Sequence, residues 1–585
     1  MTEMISITPN SPDYHEKESP GVAVDKALAH PPSKSQSGVD EPNDPVPHLH
    51  ARTFLAVFAV CLIYMAQVVS LVGAGAQGQI IAGHFNDGTQ VVWFSAPITI
   101  MTVVLGPIVS QAADYWGRKW FLVVLTLFGA FGSLIVSRAT SMNMAIAGFS
   151  VIGIAFGAQP LLHVVTSEVL PRRWRGWGQA CDMISNACGS TLALLVGGAL
   201  NRAADPASDG FRYFYYMAMA LFLVASILCA IVYNPPPLLT ETEFTNIEKF
   251  AKLDWVGYFL LAAGLVLFSV GLSYSENPYR WSDPEVSATF AIGVTVAMTL
   301  AAYETFFKKN GMFHHGLFTG NRNFPIATLC VFAEGVAFFA ANTYFAFQVN
   351  VLYEQDALLV GVRYSLMMIT SAFAACATGW YCSVAKKVRS ATVLAFLMFV
   401  AFFIAMANTS RGTNNPTWGY PVILGVALGM TLTTLVTVAQ LSTPPELISI
   451  ASGIIISVRS LGGTVGLAIY NALFNSAMSH VGDNIADAAV PAGLPPGNLG
   501  LFIGALVTRN ATALASIPGA TPNVIGAGAT ALLDTFLSAF RNVWIAGACF
   551  VGLAAITAVF LLDPTQEFNM HIDHPAEKEE DLYSV

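Results

Sequence analysis

Ionisable side chains are rare within the apolar runs of this chain, so each one found there implies chemistry. Glu334 lies inside the run Phe324–Asn350, followed by the polar Asn342 and Gln348. A carboxyl in such a place can bind a proton facing one side and release it facing the other as its surroundings change. A neutral, hydrogen-bonded structural glutamate is the alternative. Arg459, in the Gly-rich run Ile455–Leu473, reads as a counter-ion, an anionic-substrate contact or half of a structural ion pair. Asp182, with Asn186 one turn on, is a second proton candidate, and a structural role is equally open. His163 has the chemistry to titrate near neutrality, but a lone histidine on such a helix is more often structural.

Two charged clusters sit at the edges of apolar runs. One is "SQAADYWGRKW" from Ser110, with Asp114, Gly117, Arg118 and Lys119 between two uncharged stretches. Gly117 permits a tight reversal. Asp114 at a helix C-terminus opposes the macrodipole, so it requires a partner, either the neighbouring arginine or the N-terminus of another helix. The second cluster is Glu168 followed by Pro171, Arg172, Arg173 and Arg175, an acid and a basic group that read as anchor and latch charges.

Catalytic chemistry has no comparable support. The sequence contains no HExxH, no acids or metal ligands paired at helical spacing, and no GxxxxGK[ST] phosphate loop. The eight cysteines form no CxxC or CxxH pattern and read as apolar packing. The expectation is a protein that is not an enzyme, with no catalytic residues, no metal, no cofactor and no nucleic-acid partner.

The elements that position these residues are set by composition. Of 585 residues, 55% are hydrophobic and 11% charged, against about 25% charged in soluble domains. Runs of about 20 apolar residues span a bilayer as helices. Reading such runs against polar breaks gives fourteen spans, the last centred near residue 552. The fold class is therefore an all-α polytopic membrane protein.

Lysine placement orients the spans. With the N-terminus inside, the short inner loops hold Lys119, Lys249, Lys252, Lys308, Lys309, Lys386 and Lys387, while outer loops hold only arginines such as Arg138 and Arg411. This satisfies the positive-inside rule with both termini cytoplasmic. The sequons at Asn408 and Asn510 fall outside and are candidate glycosylation sites. Trp93, Trp255, Trp281, Trp418 and Trp544 read as interfacial belt residues.

The expected organisation is a disordered cytoplasmic tail over 1–50, with no signal-peptide pattern, and a six-helix bundle over 51–233. A linker and inserted helix pair follow over 234–323, then a second six-helix bundle over 324–562 and a cytoplasmic tail over 563–585. The stretch 476–541, with Asp534, Arg541 and nearby prolines, reads as a long external loop. A faint repeat between "MISNACGSTLALLVGGAL" from Met183 and "IISVRSLGGTVGLAIYNAL" from Ile455 supports duplication.

The loop at Asp114, Gly117, Arg118 and Lys119 resembles the signature G-x-L-A-D-x-x-G-R-K of the major facilitator superfamily, with Ser110 and Ala112 replacing its Gly and Leu. Together with "GFSVIGIAFGAQPLLHVVTSEVLPRRWRG" from Gly148, "LDWVGYFLLAAGLVLFSVGLSY" from Leu253 and "RSLGGTVGLAI" from Arg459, the chain is similar to fungal fourteen-helix drug:proton antiporters of the trichothecene efflux pump type over roughly 50–565. The resemblance implies a major facilitator fold. It also implies that Asp114 and Arg118, with Gly117, Lys119, Glu168, Arg172 and Arg175 around them, form a conformational latch. Two positions depart from the pattern: Phe149 stands where such antiporters carry an arginine, and Ala193-Leu194 replace the Gly-Pro preceding Gly197 and Gly198.

The function expected is alternating-access export of a small, partly apolar metabolite, toxin or drug by proton antiport. Proton-coupled import of ferric siderophores is the alternative. Partners are the substrate, protons and the bilayer, and the chain is expected to act as a monomer in the cell membrane, with a vacuolar or vesicular membrane as the other location. The cavity would be lined by Gln67, Gln159, Asn186, Asn342 and Arg459, with Glu334 facing it.

Overall fold

The computed structural model describes residues 49–85, 92–203, 210–237, 241–242, 244–274, 281–308, 311–312, 314–354, 356–507 and 510–576. The expected disordered tail over 1–50 and Lys309 therefore lie almost wholly outside the described residues. Among those described there is no strand, and fourteen helices are long and apolar enough to cross a membrane.

The first block comprises α1 (Ala51–Phe85), α2 (Val92–Trp116), α3 (Arg118–Ser137), α4 (Met142–Glu168), α5 (Arg175–Ala203) and α6 (Gly210–Val232). A short helix, Asn246–Lys252, leads into the pair α7 (Trp255–Tyr274) and α8 (Pro284–Ala302). The second block comprises α9 (Asn323–Leu352), α10 (Ala357–Ala385), α11 (Arg389–Ala407), α12 (Tyr420–Leu441), α13 (Ile448–Met478) and α14 (Pro522–Ala558). Successive spans alternate direction, so Lys119, Lys249, Lys252, Lys308, Lys386 and Lys387 fall at one end, called here the lysine end.

The α2–α3 reversal needs only Gly117, whose φ of 83° is open to glycine at little steric cost. The two blocks meet where α2 crosses α13 and where α5 packs on α10, Gly176 against Gly379. A Cβ on Gly106 would lie 2.7 Å from Ser457 Oγ, so the crossing depends on small residues. The α7–α8 pair packs on itself through Phe268 and Phe290 and on the flank of α2 through Leu265 with Val103 and Val104.

α4 is broken. Met142–Ala155 and Gln159–Glu168 are α-helical, with a 3-10 turn at Phe156–Ala158 between them. Pro160 has no N–H to continue the ladder. Gln67 Nε2 donates to the Ala155 carbonyl at 2.8 Å, satisfying a group released at the break.

The stretch 476–541 is not a loop. α13 runs to Met478 and α14 begins at Pro522, far ahead of the centre expected near 552. Between them Val481–Ala489, Leu499–Val507 and Ala511–Ser516 are helical. They bury Ile485, Phe502 and Leu506 against Val524 and Leu532 in a small core of their own. Pro496 and Pro522 sit at helix starts, where a missing N–H is harmless. Asp534 and Arg541 are surface contacts, pairing with Arg411 at 2.5 Å and donating to the Ala407 carbonyl at 3.2 Å.

Trp544 is also corrected: it is fully buried, its Nε1 donating to Gln348 Oε1 at 2.6 Å between Phe402 and Phe403. An indole whose N–H is satisfied inside has no need of the interface. Cys188 and Cys549 likewise face outward and are not packed in the interior.

Candidate functional site

Four of the seven expected latch residues, Asp114, Gly117, Arg118 and Glu168, come together at the lysine end. Arg118, the first residue of α3, is buried by the Gly117 turn and pairs with Glu168 at the end of α4. Its Nη2 donates to Glu168 Oε1 at 3.1 Å and to Ser449 Oγ at 3.0 Å, and lies 3.6 Å from Asp114 Oδ1. Ser449 belongs to the first turn of α13, so one guanidinium ties α2, α3 and α4 to the second block. Such forked, charge-assisted bonds are the strong class. Gln440 of α12 adds a second tie, donating to the His163 carbonyl at 3.1 Å and to Ser452 Oγ at 3.0 Å.

Three expected latch residues do other work. Lys119 bonds Asn234 at the surface and does not join the cluster. Arg172 and Arg175 instead grip the chain beyond α14. Arg172 donates to Asp573 through Nε at 3.1 Å and Nη2 at 2.7 Å and to Glu567 Oε2 at 2.7 Å, and Arg175 also pairs with Asp573. Burial opposes ionisation of Asp573, yet Arg175 and Arg172 hold its carboxyl below the usual range. Burial, with Arg118 alongside, pushes the His574 ring down to about 4.

Two ionisable pairs lie deep in the helices. Glu334 of α9 is fully buried and accepts both arms of Arg459 from α13, Nε to Oε2 at 2.6 Å and Nη2 to Oε1 at 3.0 Å. α9 and α13 approach this closely because position 335 is glycine: a Cβ there would sit 2.0 Å from the Arg459 carbonyl. The guanidinium also stands 4.7 Å over the Phe338 ring.

In the first block Asp182 of α5 is fully buried. It accepts from Thr166 Oγ1 at 2.8 Å and faces His163 Nδ1 at 3.1 Å, with Cys61 Sγ at 3.9 Å. His163 Nδ1 also lies 2.8 Å from Gln179 Oε1. With Asp182 ionised, two acceptors face one ring nitrogen, which places a proton on Nδ1. Tyr64 of α1 packs edge-on to this ring at 5.4 Å and takes a bond from Asn186 at 3.4 Å.

Of the remaining expected cavity residues, Gln67 is committed to the α4 break, Gln159 is buried at the start of the second half of α4, and Asn342 accepts from Tyr364 at 2.9 Å, outside the Tyr64 group. Phe149, in the place of the arginine, is buried against Phe94 and Tyr215. Both sequon asparagines are exposed at the end opposite the lysines. Asn408 follows α11, and Asn510 caps Ala511–Ser516.

Sequence reasoning missed Ser449, Glu567 and Asp573 and placed His163 among structural residues. A hydroxyl in a helix and two acids in a polar tail carry no distinguishing signal. The nineteen-residue separation of His163 and Asp182 becomes a contact only through the α4–α5 turn.

Fourteen helices long and apolar enough to cross a membrane, in two six-helix blocks with an inserted pair and a buried guanidinium bonded across the blocks, are the architecture of a major facilitator transporter, not an enzyme. The chain belongs to the fungal trichothecene efflux pump (TRI12) family, whose pattern matches residues 46–579. It is 21% identical over 474 residues to the trichothecene efflux pump TRI12 of Fusarium sporotrichioides, covering 80% of this chain and 78% of that one. It is 23% identical over 480 residues to the efflux transporter pyiT of Pyricularia grisea, covering 80% and 75%. In fold it is similar to a bacterial homologue of the human lysosomal transporter Spinster, with a TM-score of 0.51 at 14% identity over 87% of this chain and 98% of that one. The proton:xylose symporter XylE matches with a TM-score of 0.50 at 12% identity over 86% and 95%.

Proposed function

We propose that this chain exports a small, partly apolar molecule in exchange for protons, its two blocks opening alternately to either side of a cell membrane. The observation that carries the reading is the burial of two ionisable pairs, His163–Asp182 and Glu334–Arg459, one in each block behind the same latch. Such groups are costly in a membrane and serve function by default. The efflux names of the relatives support the direction.

In this reading the lysine end is cytoplasmic and the latch seals it. Asp114 and Glu168 position Arg118 against Ser449, and separation of the blocks breaks that contact. Asp182 is the coupling carboxyl. Its partners are a hydroxyl, a thiol and an imidazole, so it can take a proton without stranding a fixed cation. Glu334 would have to give up two charge-assisted bonds to do so, which makes it the anchor of Arg459. Protonation of Asp182 from outside weakens its hold on Thr166 and His163, freeing α5 to shift against α4. Asn186, Gln159, Asn342 and Arg459 line the cargo path. The chain acts as a monomer, with Asn408 and Asn510 open to glycosylation.

The test is uptake by inside-out vesicles with an acidic lumen, using a panel of toxins and ferric siderophores. Toxin accumulation abolished by a protonophore is expected. Asp182→Asn should lose gradient-driven uptake while retaining exchange, and Glu334→Gln should slow both. Siderophore accumulation in right-side-out vesicles under an inward proton gradient would overturn the export reading. Persistent gradient-driven uptake by Asp182→Asn would remove Asp182 from the coupling role.

A further inference from the structure

The segment that follows α14 is built into the molecule at both of its ends, and the two ends lie on different blocks. Its start is fixed to the second block. Leu562 N–H donates to Asn323 Oδ1 at 2.8 Å, and Asn323 Nδ2 returns a bond to the Leu562 carbonyl at 3.0 Å. Asp563 Oδ1 accepts from the N–H groups of Val388 and Arg389 at 2.7 and 2.9 Å, capping α11.

Its continuation is fixed to the first block. The carbonyls of Asn569 and His571 accept from the backbone N–H groups of Arg173 and Arg172 at 2.8 and 2.9 Å. His574 N–H donates to the Glu168 carbonyl at 3.2 Å. Phe568 is fully buried between these points, and Asp573, with a side chain 3% exposed, is held by Arg172 and Arg175. Glu168 thus serves twice: its carboxylate holds Arg118 and its carbonyl holds the tail.

We infer that the α4–α5 connection, Glu168–Arg175, is a docking surface for a short acidic segment, and that its occupant is this chain's own residues 565–576, which strap the lysine end shut. Backbone bonds of the loop to the carbonyls of Asn569 and His571 hold the segment in register, and the two arginines select the acids. A surface that binds its ligand by main-chain bonds and two cations is emptied by any separation of the first block from the second, because the other end of the strap stays on α11. Release of the strap and opening of the latch are one event. The inference rests on the rocking motion proposed above, but docking itself is measurable without transport.

Amide hydrogen exchange on the purified full-length protein reads the docked state at Arg172 and Arg173, whose N–H groups the tail covers. Slow exchange across 168–176 is expected in the native chain. Asp573→Asn and Arg172→Gln should each speed it about tenfold or more, since each removes charge-assisted bonds, while α9 peptides stay unchanged and report an intact fold. Asp573→Glu should restore most of the protection. As a second arm, a synthetic peptide of residues 565–576 should bind a chain ending at Pro564 and fail to bind the full chain. Native exchange at 168–176 as fast as in an unstructured peptide, or equal exchange in the native and Asp573→Asn proteins, would overturn the docking. Equal peptide binding to both chains would overturn the tail as occupant. Strap release that leaves cytoplasmic accessibility of the latch unchanged would overturn its coupling to opening, with the export reading untouched.

Discussion

Removing Arg459 alone should be far more damaging than removing the whole pair it belongs to. Glu334 is fully buried, and both its oxygens are engaged by Arg459 at 2.6 and 3.0 Å. Arg459→Met keeps much of the side-chain volume but leaves a buried carboxylate with neither partner. Breaking such a pair from one side costs about 3–5 kcal/mol. Glu334→Gln keeps one acceptor oxygen toward the guanidinium, and a loss of about 1–3 kcal/mol is expected. In the double variant Glu334→Leu with Arg459→Met no charge is stranded, and most of the single-variant loss should return. The assay is unfolding of the detergent-solubilised protein followed by fluorescence across the full double-mutant cycle, with a coupling energy of roughly 2 kcal/mol or more expected for residues in one ion pair. Additive losses, with the double variant as unstable as the sum of the singles, would refute the closed ion pair and return Glu334 to the list of free proton carriers.

Four further outcomes follow from the geometry. Arg118→Lys removes the fork that reaches Glu168 and Ser449 together, so labelling from the lysine end of a cysteine placed at Ile450, beside Ser449, should rise severalfold, and Glu168→Gln should add little to it because both act on one contact. Docking of the tail should weaken as pH falls from 6.5 to about 4, because the free His574 ring takes up a proton that the docked ring refuses. The full shift corresponds to roughly 3 kcal/mol; His574→Phe should flatten the protection of 168–176, taken relative to intrinsic amide exchange at each pH, across that window. Asp573 works in the same sense at lower pH. Its depressed carboxyl gives docking strength present above the ordinary aspartate range and lost only as pH falls through the lowered value. Gly335→Ala places a Cβ 2.0 Å from the Arg459 carbonyl and should force α9 from α13, lowering thermal stability more than Gly504→Ala, where a Cβ meets open space.

What the sequence made legible was whatever stood out against an apolar background. The fourteen spans were readable, and Asp114, Arg118, Glu168, Glu334 and Arg459 stood out one by one, because charge inside hydrocarbon is rare enough to be a signal; which of them meet is set by the fold. The same background hid what it resembled. Helices of alanine and glycine between Val481 and Ser516 look like a loop when prolines lie close by, although those prolines begin helices. Glu567 and Asp573 sit in a polar tail where acids are ordinary, and only the fold brings them to Arg172 and Arg175. His163 was visible as a titratable residue, but its role depends on which side chain a turn of the chain delivers to it. Trp544 shows the limit of composition rules: an indole at the end of a span is an interface anchor only if no interior acceptor reaches it first.

The folded segment between α13 and α14 has a practical consequence for imaging. Its core of Ile485, Phe502, Leu506, Val524 and Leu532 is continuous with α14, and Asn484 bonds Thr535 of that helix at 2.9 Å. It therefore travels as a rigid body with the second block. Single particles of a transporter buried in a micelle offer few features by which to align them. This segment supplies one, and because it packs on one block alone, the angle between it and the first block would read out the rotation that the proposed export cycle requires.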